Sequence, residues 1–143
     1  MIPHSAPTVG REEARAVARV LATGQIADPS RFEAALSRVR GARARATHSG
    51  SSALHLALLS LGVRKGPRVG VPTFACAAIL NSVRVAGGEP EFLDCDENGL
   101  VTGVARGVTI VPHMFGLPAP FAGPKIVEDF AMALGARRPR GPA

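Results

Sequence analysis

Apolar residues recur at helical spacing along the first part of the chain. Ala14, Val17, Ala18 and Leu21 fall at i, i+3, i+4 and i+7, with Glu12 and Glu13 ahead of them and Gly24 just past the last. The pattern predicts an amphipathic helix whose acidic first turn suits the helix dipole and whose end is set by Gly24. Phe32, Ala35, Leu36 and Val39 repeat the spacing, and Ser30 with Glu33 three residues on reads as a capping box, so a second helix is predicted over 31–40. Residues 43–47 read as the entry to a strand. Leu54, Ala57, Leu58 and Leu61 form the stripe of a third helix, which Gly62 ends in the left-handed conformation.

Beyond residue 68 the pattern changes. Arg68 to Val71, stopped by Pro72, reads as a strand; Phe74 to Ala86 is helical and closed by Gly87 and Gly88. Glu91 to Asp94, Val108 to Val111 and Ile126 to Glu128 are further strands, the last two apolar enough to be buried on both faces. Strands alternating with helices predict an α/β fold, a mainly parallel sheet flanked by helices. The second half is lean. Residues 95–107 carry no helical stripe and 112–125 hold four prolines, so both crossovers lie near the minimum of about a dozen residues.

The chain has 143 residues, 46% of them hydrophobic, enough for one core, and the expected organisation is a single α/β domain over 1–136 followed by a basic tail over 137–143. A core without Trp or Tyr must be built from Ala, Val and Leu. The net charge of +6 is spread along the chain; only Arg137, Arg138 and Arg140 cluster, in the tail. No basic face interleaves with stacking aromatics, which argues against nucleic acid as a partner. Cys76 and Cys95 show no paired spacing, as expected of reduced thiols. The first residues lack the regions of a signal peptide and no run could span a bilayer, so a cytoplasmic protein without membrane association is expected.

The chemistry concentrates at the ends of the predicted strands, where ligands of open parallel sheets sit. Residues 47–62 run from a strand through a Ser/Gly turn into an apolar helix, and the free N–H groups of Gly50, Ser51 and Ser52 would make an anion cradle. Phe74 and Cys76 offer an aromatic or polarizable wall, and Asp129 a carboxylate. A phosphorylated heteroaromatic cofactor whose ring nitrogen must stay protonated needs those three things. The carboxyls and thiol of Asp94, Cys95 and Asp96 lack the partners of a metal site. His48 and His55 flank the Ser/Gly turn, but no nucleophile elbow supports a Ser/His hydrolase.

In order along the chain, Ile2, Pro3 and Pro7, then 49–58, Val71 to Phe74, Asn81 to Val83, Gly88 to Pro90, Asp94, Pro112 to Gly116 and Glu128 to Ala136 resemble the DegT/StrS group of sugar aminotransferases. The resemblance implies the large domain of a fold-type I enzyme with pyridoxal phosphate as cofactor. It implies amino transfer to a keto group on a nucleotide-linked sugar, and a homodimer or a heteromer with a larger relative. It also implies Gly50 and Ser51 at the phosphate, Asp129 at the pyridine nitrogen, and Cys76, or Phe74 in its stead, at the ring-stacking position. His113 belongs to a strand-end motif and is expected to be structural. Three departures stand out. The family's Schiff-base lysine lies beyond the acidic motif, and only Lys65 and Lys125 are present here, in other contexts; Met132 stands where the family has glutamine, and Phe130 replaces a small residue. The isolated chain is therefore expected to be incomplete or inactive, with a degenerate, non-catalytic binding or interaction module as the alternative.

Overall fold

The computed structural model describes residues 8–136; the family-like opening at Ile2, Pro3 and Pro7 and the 137–143 tail lie outside them. Packing divides the chain into two compact units, residues 1–46 and 47–143. Among the described residues no helix is long and apolar enough to cross a membrane.

The first unit holds α1 (Arg11–Thr23) and α2 (Ser30–Arg40), each closed by a left-handed glycine, Gly24 at φ 67° and Gly41 at φ 65°. The capping differs from expectation. The Gly10 N–H donates to Glu13 Oε2 at 2.7 Å, so the acidic clasp forms on α1. On α2, Asp28 accepts from the Ser30 N–H and hydroxyl, each at 2.9 Å, while Glu33 turns to Arg45 and to the Ala46 N–H at 2.9 Å. That bond and the one from the Ala44 N–H to Ser37 Oγ satisfy 43–46 with side chains, which is why no strand forms there. Neither helix buries a residue, and Val17 and Leu21 of the α1 stripe stay exposed.

Backbone donors hold both clasp carboxyls below the usual range: Glu13 through its own N–H and that of Gly10, Asp28 through the Ser30 N–H and then its hydroxyl. A depressed folded value means the clasps contribute fully above the unfolded values and lose that contribution as pH falls through the folded ones. Far-ultraviolet circular dichroism is therefore expected to show loss of helix on acidification below the ordinary carboxylate range, and less loss in the doubly neutral variant Glu13→Gln, Asp28→Asn, which starts from a lower signal.

The second unit contains α3 (Gly50–Ser60), β1 (Arg68–Pro72), α4 (Ala77–Val85), β2 (Glu89–Leu93), β3 (Val108–Pro112) and β4 (Ile126–Asp129). All four strands are parallel, in the order β2-β1-β3-β4. α4 starts later than the periodicity predicts. The Thr73 N–H and hydroxyl both donate to Leu93 O, at 2.9 and 3.1 Å, which ties the segment after β1 to the end of β2 and delays the helix until past Cys76. β3 is buried along its length, as expected, but β4 is half-buried because it closes the sheet. β2 closes the other side, the position where Pro90 costs least. The two links without helical pattern are indeed short: an antiparallel bridge between Cys95 and Val101, and a 3-10 turn over Met114–Gly116.

Both α3 and α4 end in Schellman motifs. The Val63 N–H reaches Leu58 O and the Gly62 N–H reaches Leu59 O; after α4, Gly88 and Gly87 repeat the pattern on Val83 and Arg84. The closures place Leu58, Val63 and Val83 in one core with Val69, Val71, Ile79 and Ile110. A valine-rich core of this kind fits a chain that lacks Trp and Tyr and whose six phenylalanines lie outside this cluster.

Candidate functional site

α3 begins at the turn that the sequence singles out. Ser49 is its N-cap, in extended conformation, and its Oγ accepts from the Ser52 N–H at 3.2 Å; the Ala53 N–H bonds Ser49 O. The amides of Gly50 and Ser51 have no protein acceptor among the described residues. Two of the three amides in the predicted cradle thus remain open to an anion, and no side chain stands within 4 Å of the position a Gly50 Cβ would take. The Ser52 hydroxyl lies 2.9 Å from His48 Nε2 and 3.0 Å from Ser49 Oγ. The His48 contact was not anticipated from sequence, although His48 and Ser52 stand four residues apart. Ser52 sits inside a regular helix, so the pair extends the cap and forms no nucleophile elbow.

Asp129 ends β4. Its carbonyl accepts from the His113 N–H, and Oδ1 accepts from the Ala131 N–H at 2.9 Å, fixing the side chain and leaving Oδ2 to a ligand. A cavity of about 250 Å³ is lined from one side by Gly50, Ala53, Leu54 and Ala57 of α3 and from the other by 127–131, Asp129 included. The open helix N-terminus and the carboxylate, 79 residues apart in the chain, therefore share one cavity. The donor set suits a phosphorylated ring with a basic nitrogen: amides for the anion, a carboxylate for the protonated nitrogen, aliphatic α3 side chains for the body.

Phe74 and Cys76 do not line this cavity. The bend at 73–76 turns Phe74 toward Gly99 and Phe115, and Cys76 is an exposed N-cap with a free thiol. The wall is instead Phe130, whose ring stacks on His113 at 4.1 Å between centroids. His113 is buried. Its Nδ1 accepts from the Ala119 N–H at 2.9 Å, so the ring hydrogen sits on Nε2, 3.1 Å from Glu128 Oε2. Both ring nitrogens are engaged, which fits the expected structural role. Lys65 and Lys125 are exposed and outside the cavity, and Met132 is 53% exposed. Among the described residues no cluster could hold a metal ion.

A parallel α/β sheet with an open helix N-terminus and a strand-end carboxylate on one cavity is the architecture of the fold-type I transferases, whose cofactor is pyridoxal phosphate. The chain belongs to the DegT/DnrJ/EryC1/StrS aminotransferase family, which it matches over residues 7–109. Asp129 lies past that span. The chain is similar to the aminotransferase from Psychrobacter cryohalolentis, with 27% identity and a TM-score of 0.78, covering 92% of this chain and 40% of that one. It is similar to 3-amino-5-hydroxybenzoic acid synthase at 25% identity and a TM-score of 0.79, covering 93% and 41%. The E. coli GDP-4-keto-6-deoxy-D-mannose-3-dehydratase, solved with bound hydrated pyridoxal phosphate, shares the fold at 19% identity and a TM-score of 0.76, covering 88% and 39%. The chain thus spans about 40% of the length of these relatives.

Proposed function

We propose that this chain is the cofactor-holding part of a pyridoxal-phosphate aminotransferase acting on a nucleotide-linked keto sugar. The observation that carries the reading is the shared cavity of Gly50 and Asp129. When bound, the cofactor supplies an electron sink for amino-group chemistry. The free amides of Gly50 and Ser51 would hold its phosphate, while the Ser52 hydroxyl is engaged by His48 and Ser49; Asp129 Oδ2 would keep a proton on the ring nitrogen, and Leu54 and Phe130 would exclude water from the ring. No described lysine faces this cavity, so amino transfer needs an amine from a segment or polypeptide beyond these residues, and self-association or pairing with a larger relative would supply it. The cytoplasm is the fitting compartment for two free thiols. A second reading, a non-catalytic binding module, is favoured by Phe130, whose stacking on His113 fills part of the wall.

The phosphate contact is tested by fluorescence titration with pyridoxamine phosphate, which has no aldehyde to react with the exposed lysines. Gly50→Asp places a carboxylate in the cradle and is expected to weaken binding by about tenfold or more, the scale of a hydrogen bond to a charged group. Pyridoxamine without phosphate should bind as weakly to the unaltered chain. Equal affinity in all three cases would contradict the cradle.

A further inference from the structure

A second cavity of the 47–143 unit, of about 560 Å³, shares no lining residue with the first and lies within the size range of small-molecule sites, roughly 300–1,000 Å³. Its walls are the rings of Phe74 and Phe115, 52% and 61% exposed, with centroids 6.3 Å apart and planes tilted by 44°. Leu117 adds an aliphatic side, and the turn over Asp96, Glu97 and Gly99 forms the rim.

This arrangement is held against one local penalty and depends on one glycine. Phe115 sits at φ 53°, ψ 28°, in the left-handed region that a residue with a side chain seldom adopts, and it keeps a large ring facing the cavity. Gly99, at φ 75°, lies so near Phe74 that a Cβ there would come within 2.7 Å of the ring. The Phe74 ring therefore rests on the acidic turn. Asp96 Oδ1 is spent on the Asn98 and Leu100 N–H groups, at 2.9 and 2.8 Å, which fixes the turn. The Glu97 carboxylate makes no hydrogen bond or ion pair among the described residues, and no Lys or Arg lines the cavity.

Two exposed ring faces and an uncommitted carboxylate, without a cation among them, attract positive charge carried on an apolar body. An anion would meet the carboxylates with no compensating donor of positive charge. We propose that the Phe74–Phe115 cavity binds an organic ammonium group, an alkylated or otherwise apolar amine. This inference is independent of the cofactor reading, because the two cavities share no lining residue.

The test is a titration with choline followed by amide chemical shifts in two-dimensional nuclear magnetic resonance, beside 3,3-dimethylbutan-1-ol, which has the same shape without the charge. Saturable shifts are expected at Phe74, Glu97 to Gly99 and Phe115 to Leu117, with the alcohol bound about fivefold more weakly. Glu97→Gln should weaken choline about threefold and leave the alcohol unchanged. Phe115→Gly removes one ring while suiting the positive φ, so the fold is retained, and should weaken choline about fivefold. Equal binding of choline and alcohol, or shifts that do not saturate or that map elsewhere, would overturn the proposal.

Discussion

Replacing His113 by alanine is expected to destabilise the protein by about 3–5 kcal/mol, the range for a truncated core side chain that also orphans a buried donor. The ring is 1% exposed, packed on Phe130, and accepts from the Ala119 N–H, which is itself buried. Removal leaves that N–H without an acceptor and releases Glu128 from the contact beside Asp129. Asparagine can place its amide oxygen where Nδ1 stood, so His113→Asn should recover about 1 kcal/mol of the loss, the net worth of one hydrogen bond. Urea denaturation of the three proteins measures both differences. If His113→Asn and His113→Ala were equally unstable, the Ala119 bond would not be what the histidine provides.

Gly87→Ala is expected to be comparably damaging, for a backbone reason. Gly87 stands at φ 86° as the left-handed residue that closes α4, and a Cβ there would lie 1.8 Å from the carbonyl oxygen of Arg64. That oxygen is main chain and cannot rotate away. The Gly87 carbonyl also accepts from the Gly66 N–H at 2.9 Å, so the loops after α3 and α4 are joined at this point. Relief of the clash would separate them and disturb the Schellman closure that packs Val83 into the core. A loss of about 3 kcal/mol or more follows from a special conformation broken together with a steric overlap. Gly62→Ala serves as the control. It has a similar φ of 80° but open space around its Cβ, and should cost only the conformational part, about 1 kcal/mol. Thermal unfolding that ranked the two glycines equally would contradict the close approach.

Helical periodicity located α1, α2 and α3 because their stripes are uninterrupted and end at glycines that adopt positive φ. The strands were visible as short apolar runs bounded by Pro and Gly, and their alternation with helices led to the parallel sheet. Long-range bonds were not visible. Thr73 is drawn to Leu93, twenty residues on, and this shortens α4 and turns Phe74 away from the Gly50 cavity. Glu33 is drawn to Arg45 and Ala46, and this undoes the capping box and the strand at 43–47. Gly50 and Asp129 were legible because each follows from position alone, one at a helix start and one at a strand end. The wall residues depend on which way a bend points, and no local pattern encodes that. The role of His113 came from the resemblance, and its two hydrogen bonds came from the fold.

The most direct measurement of the central claim is a pyridoxamine-phosphate titration of the purified chain beside Asp129→Asn, followed by absorbance and fluorescence. Asparagine keeps an oxygen for the Ala131 N–H and so preserves the turn, while removing the charge that would pair with the ring nitrogen. Saturable binding at one site, weakened about tenfold or more in Asp129→Asn, is the predicted result. No saturable binding, or equal affinity in both proteins, would contradict a cofactor cradle built from Gly50 and Asp129.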